Sequence, residues 1–163
     1  MSATTYNPFS KNHPHYPIWE MCVRRDLEAF LAADWAQCSD DFKSEGFVGW
    51  DAGHHPDPLK WQVTFPDLDS YRRSWLIDAQ NFKKQKLPAN ISEQLYQLLS
   101  LVRIELQSDT GIVHKKFDGV IKINSESEKK LAWQSIFFLK KENNRWVQAG
   151  FIGYLPLKLS SEN

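Results

Sequence analysis

Asp51, His54 and His55 fall within one short stretch, at the end of a predicted strand running Phe47-Val48-Gly49-Trp50-Asp51. A carboxylate and an imidazole this close can divide a proton transfer between them, because histidine titrates near neutrality. Asp51 is the best acid or base candidate in the chain, and His54 or Arg103 would be its electrostatic helper. The three side chains could also hold a metal. Adjacent histidines diverge on an extended chain, however, and no His-x-x-x-His helix adds ligands, so no metal is expected. The plainer alternative is a solvated turn, since Asp51 to Pro58 holds Gly53 and two prolines.

Arg103 and Glu105 interrupt an apolar run, and period-two alternation puts both on the face that carries Leu99 and Leu101. Buried there, they form a tuned acid or base, with burial raising the carboxyl pKa and the arginine lowering it. On the sheet back the same residues make an ordinary surface or dimer-interface salt bridge. Arg103 therefore joins Asp51 and His54 as a catalytic candidate.

The elements that must position these groups follow from periodicity. Residues 1–16, with Pro8, His13, Pro14 and His15, show no period and read as a loose arm; a single domain occupies 17–163. Ile18, Trp19, Cys22, Val23, Leu27, Phe30 and Leu31 recur at helical spacing behind Pro17. A second, shorter helix is expected through Trp35, Cys38 and Phe42, and a short strand carrying Trp61 over Leu59 to Phe65. Asp67 or Asp69 can cap a third helix whose stripe is Leu68, Tyr71, Trp75, Leu76, Ala79 and Phe82. Four β-rich runs follow, Leu95 to Gln107, Ile112 to Ile123, Leu131 to Lys141 and Arg145 to Leu155, separated by short polar turns. Helices first and a meander afterward make an α+β layer fold.

Composition removes several function classes. Lysine plus arginine and aspartate plus glutamate both number 20, so no global field steers the chain to nucleic acid or anionic lipid. Lys83, Lys84 and Lys86 complement the end of the third helix and need no nucleic acid to explain them. The longest apolar stretch, around Ile136 to Leu139, is too short to cross a membrane, and Ser2-Ala3-Thr4-Thr5 has no signal-peptide character. A cytoplasmic protein with two reduced, buried thiols at Cys22 and Cys38 is expected. No phosphate-binding loop, dinucleotide fingerprint, nucleophile elbow or Cys-x-x-Cys pair occurs, so nucleotide hydrolysis, hydride transfer and structural zinc lose support.

This element order, ending in Arg145-Trp146-Val147-Gln148, resembles the nuclear-transport-factor-like superfamily, which is cystatin-like in fold. The group includes ketosteroid isomerases, limonene epoxide hydrolases, scytalone dehydratase and SnoaL-like polyketide cyclases. Asp40-Asp41-Phe42 running into Gly46-Phe47-Val48-Gly49-Trp50 is similar to the helix-to-strand joint of SnoaL-like members. Leu139-Lys140-Lys141-Glu142-Asn143-Asn144-Arg145-Trp146 is similar to their last hairpin. The resemblance covers nearly all of the chain after Pro17. It implies a cone: a curved antiparallel sheet wrapped around three helices of the N-terminal half, with a mouth between the layers and a sheet back that often makes a homodimer.

The isomerase triad does not carry over residue by residue. Ungapped, Trp50 stands at the catalytic aspartate, and Asp51, one place later, points to the other face unless a bulge at Gly49 restores it. Asp26 falls at the oxyanion tyrosine, and Gln134 or Ile136 near the protonated aspartate. In the resembling fold Trp50, Trp61, Tyr71, Trp75, Trp133 and Trp146 come from segments that face the cone, although each taken singly could be ordinary core. The expected protein is a homodimer that binds a hydrophobic or aromatic small molecule between walls including Trp50, Trp61, Tyr71, Trp75, Trp133 and Gln148. As an enzyme it would be an isomerase, cyclase, dehydratase or hydrolase needing no cofactor, with Asp51 as proton acceptor. The competing expectation is a non-catalytic module whose cone is filled by its own side chains.

Overall fold

Pro17 stands in the first turn of the first helical segment as expected, but the hydrogen-bond pattern changes along it. The structure, a computed structural model, describes residues 6–162, so Ser2-Ala3-Thr4-Thr5 lies outside the described residues. Helix α1, Tyr16–Trp19, runs into a π-helical stretch, Glu20–Arg25, and then into α2, Asp26–Ala32. Ala33 ends the segment in the left-handed conformation. Among the described residues before it, Asn7 is pinned to the body, since its amide donates to Tyr16 O and to Glu20 Oε1.

The helix expected through Trp35, Cys38 and Phe42 does not form. Two 3₁₀ turns, Trp35–Gln37 and Ser39–Asp41, replace it, because Asp34 caps only its own turn and Phe42 is already extended, bridging to Gln148. Helix α3, Leu68–Lys84, is capped by Asp67 and buries Trp75, Ala79 and Phe82. Helix α4, Ile91–Leu98, occupies what periodicity assigned to the start of a strand. Its leucines run directly into the strand's leucines, and a short apolar run fits either period.

Six strands form one curved sheet: β1, Val48–Asp51; β2, Gln62–Phe65; β3, Leu99–Gln107; β4, Thr110–Lys122; β5, Glu128–Glu142; and β6, Arg145–Pro156. Their order is β2-β1-β6-β5-β4-β3. The last four make the expected meander, while β1 lies parallel to β6, so the sheet is mixed and not antiparallel throughout. Its concave face packs against the helices, with Phe82, Leu99 and Ile121 near one end of the core and Phe47, Trp75 and Phe151 near the other.

Two register breaks decide which side chains face inward. Between Leu101 and Arg103 the ladder to β4 skips Val102, a bulge that returns Ile104 and Leu106 to the concave face and leaves Arg103 and Glu105 outside. The expectation that Arg103 shares a face with Leu99 and Leu101 is thereby corrected. Strand β1 runs beside β6 without a break, from Val48 opposite Gly150 to Asp51 opposite Gly153. The irregularity beside Gly49 belongs to the β2 ladder, where Thr64 is skipped. Plain alternation then turns Gly49 and Asp51 inward and Trp50 outward.

Asp41 ties the first helical segment to the sheet. It is 1% exposed and accepts from Arg25 Nε and Nη2 at 2.8 and 2.9 Å and from Arg145 Nη2 at 3.0 Å. The parallel strand pair depends on a second close fit, because a Cβ on Gly150 would lie 2.5 Å from Val48 O. Gly150→Ala is expected to lower stability by about 1–3 kcal/mol through overpacking, read as a reduced urea midpoint. An unchanged midpoint would show that the β1–β6 contact yields freely.

Candidate functional site

Between α2, α3 and the concave sheet lies a cavity of about 950 Å³. Inward positions of β4, β5 and β6 supply one wall, where Phe117 stacks on Trp133 with ring centroids 4.5 Å apart. Phe30, Trp75 and Tyr71 supply the helical wall, with Phe30 edge-on to Trp75 at 5.7 Å and Tyr71 against Phe151 at 4.9 Å. Burial pushes the Tyr71 phenol well above its ordinary range. These surfaces suit a flat, largely apolar guest.

A buried cation sits among them. Lys115 is 1% exposed, and its ammonium donates to Cys22 O and to Asp26 Oδ2, each at 2.7 Å. The Phe117 and Phe137 ring centroids lie 5.1 and 5.8 Å from Nζ. The π-helical stretch prepares this site: the Asp26 N–H bonds to Val23 O and not to Cys22 O, its partner in an unbroken α-helix. Both Lys115 and Asp26 line the cavity. Sequence reasoning missed Lys115, although it falls in the inward phase of Val113, Phe117 and Ile121. Asp26, which the resemblance places at the oxyanion tyrosine, holds that lysine.

Asp51 and His54 line the cavity where β1 ends. Asp51 Oδ1 accepts the Gly53 N–H at 2.7 Å, an Asx turn that leaves its second oxygen outside that bond. Gly53 and His54 both have positive φ, and the His54 N–H donates to Tyr154 O at 2.8 Å. The imidazole lies 5.8 Å from the Tyr154 ring and 6.4 Å from that of Trp133. Burial raises the Tyr154 phenol to about 12. Across the opening, partial burial raises the Asp78 carboxyl above its ordinary value, with Lys129 opposing the shift.

The structure separates the remaining candidates. Tyr71, Trp75 and Trp133 line the cavity beside Asp51 and His54; Trp50, Trp61, Arg103 and Gln148 do not. Trp50 is on the convex face, and the Trp61 indole donates to His55 O in the β1–β2 connection. Arg103 pairs with Glu105, its side chain 71% exposed. Gln148 is buried beside Phe42, and Trp146 packs with Val113 and Leu139. His55 Nδ1 accepts from the Asp57 N–H, and among the described residues no three His, Cys, Asp or Glu side chains form a metal-ligating group. Cys22 and Cys38 are free and buried, and burial raises the Cys22 thiol to about 12.

No family model matches this sequence, and no curated protein matches it. Solved structures do. An NTF2-like protein of unknown function from Pseudomonas putida matches with a TM-score of 0.57 at 11% identity, over 90% of this chain and 89% of its own. An NTF2-like protein of unknown function from Shewanella baltica matches at 0.54 and 11% identity, over 89% and 95%. A protein of unknown function with a cystatin-like fold from Nostoc punctiforme matches at 0.55 and 12% identity, over 89% and 92%. The chain therefore has the nuclear-transport-factor-like, cystatin-like α+β fold. Among the described residues, no helix is long and apolar enough to cross a membrane.

The buried pair makes an asymmetric prediction. Asp26→Ala strands the Lys115 ammonium and is expected to destabilise by about 3–5 kcal/mol, whereas Lys115→Met paired with Asp26→Asn removes both charges and is expected to lose much less. Urea denaturation of the two proteins checks this, and equal losses would refute it. Asp78 predicts a pH effect of defined sign. Its folded pKa exceeds the unfolded value of 3.8, so protonation favours the fold and ionisation opposes it. Asp78→Asn should stabilise at neutral pH by up to about 0.5 kcal/mol, and the gain should vanish as pH falls below the unfolded value.

Proposed function

We propose that this chain is a cytoplasmic, homodimeric protein that binds a hydrophobic or aromatic small molecule in its cone. In this reading it is a SnoaL-like isomerase, cyclase, dehydratase or hydrolase that uses no cofactor. The carrying observation is the roomy cavity in which aromatic walls surround a few converging polar groups, the arrangement in which apolar burial supplies affinity and polar groups fix orientation. Asp51 takes the proton at the mouth, and His54 supports the charge that develops. Lys115 assumes the electrostatic role that sequence reasoning gave to Arg103, since its ammonium is the cation enclosed among the aromatic walls.

The convex face supports the dimer. Ile112 is opposite Phe138, Phe138 opposite Gly150 and Gly150 opposite Val48, while the neighbouring row joins Ile136, Ile152 and Trp50. Val48, Trp50, Ile112 and Phe138 are all exposed, and a continuous apolar row of this kind marks an interaction surface. A non-catalytic binding module is the second reading. Its support is the Asp51 Asx turn, which an ordinary loop aspartate also makes.

Native mass spectrometry of the purified protein is expected to show a dimer retaining a small molecule. A bare monomer, even after incubation with hydrophobic metabolites, would overturn both parts of the proposal. On the molecule so identified, Asp51→Asn should reduce turnover about 10²–10⁴-fold while binding persists. Unchanged turnover would remove Asp51 from the chemistry, and binding with no turnover in the unaltered protein would select the non-catalytic reading.

A further inference from the structure

A second groove, of about 590 Å³, lies where the β3–β4 and β5–β6 turns meet the N-terminal arm. Its lining includes Lys11, Arg25, Lys141 and Arg145 and contains no carboxylate, in a chain whose net charge is zero. Asp41, which is buried, is shared by the two arginines. A guanidinium carries five N–H donors. Arg25 gives Asp41 its Nε and Nη2, and Arg145 gives Nη2, so each keeps donors for another acceptor. Lys141 holds its ammonium 5.7 Å from the Trp146 ring centroid, and among the described residues neither it nor Lys11 pairs with a carboxylate.

The frame of this groove is set by backbone and rings. Ser108, Asn143 and Asn144 all have positive φ, which makes the two turns tight, and the Lys141 N–H bonds to Asp109 O at 2.8 Å and joins them. On the other wall, His13 stacks on Phe9 at 4.9 Å beside Pro14 and Pro17. Four cations drawn from the arm, the π-helical stretch and the last hairpin thus converge on one concavity. Local excess charge attracts anions even on a neutral protein.

We propose that this groove binds the phosphates of a small molecule carrying two or more of them. A groove of about 590 Å³ has room for more than one phosphate beside these four cations. The concave shape, walled by the arm, favours a compact ligand over an extended nucleic-acid strand or a lipid surface. Arginine supplies fork-shaped donors for phosphate oxygens, and the lysines supply point charges.

Inorganic pyrophosphate titrated into the full chain by calorimetry at about 0.15 M salt tests the site. Saturable one-to-one binding is expected. Lys11→Ala with Lys141→Ala leaves the Arg25–Asp41–Arg145 clamp intact and should weaken binding about tenfold or more. Lys60→Ala with Lys84→Ala, away from the groove, should leave it unchanged. No saturable binding at millimolar pyrophosphate, equal affinity in the Lys11 and Lys141 variant, or tighter groove-dependent binding of single-stranded oligonucleotide or anionic vesicles would each overturn the proposal.

Discussion

An ammonium group almost wholly removed from water must be answered by its surroundings, and Lys115 sets that requirement at the centre of this fold. Three features answer it together. The π-helical stretch redirects the Asp26 N–H and presents the Cys22 carbonyl, the following turn presents the Asp26 carboxylate, and the sheet presents two phenyl faces. Because those groups come from the first helical segment and from β4 and β5, the pair locks helix to sheet. A lysine here gains less stability than an apolar residue of its size could.

The sheet separates two kinds of apolar surface. Inward, the aromatics surround that charge; outward, Val48, Trp50, Ile112 and Phe138 form an exposed row without a comparable buried ion. The separation depends on single-residue register. One skipped residue at Val102 holds Arg103 and Glu105 outside, and the unbroken β1–β6 ladder holds Asp51 inside.

Charge also has a second organisation, at the end of the sheet. Asp41 is surrounded by Arg25 and Arg145, and the lysines of the arm and last hairpin gather in front of them. The clamp and the buried lysine share the first helical segment, since Arg25 ends the π-helical stretch in which Cys22 lies and Asp26 follows it directly. A zero net charge concealed both arrangements. Counting charges along a chain cannot reveal how they are placed in space.

The sequence by itself determined the layer class, the first and third helices, the four-strand meander and a cap at Asp67 or Asp69, because these rest on local periodicity and capping chemistry. It also placed Tyr71 and Trp75 on the apolar stripe of the third helix, whereas Trp133 was assigned to the cone only through the family resemblance, and Lys115 shares its alternation phase with Val113 and Phe117. Tertiary structure alone decided that β1 lies parallel to β6, since that pairing joins segments about a hundred residues apart. It decided the faces of Arg103 and Trp50, because a bulge or an alignment shift of one residue reverses every side chain beyond it. The start of β3 was lost to α4 where leucines satisfied both periods. Lys115, Asp26 and the Cys22 carbonyl became one site only through three-dimensional folding, because the distance that makes an ion pair has no counterpart in sequence spacing.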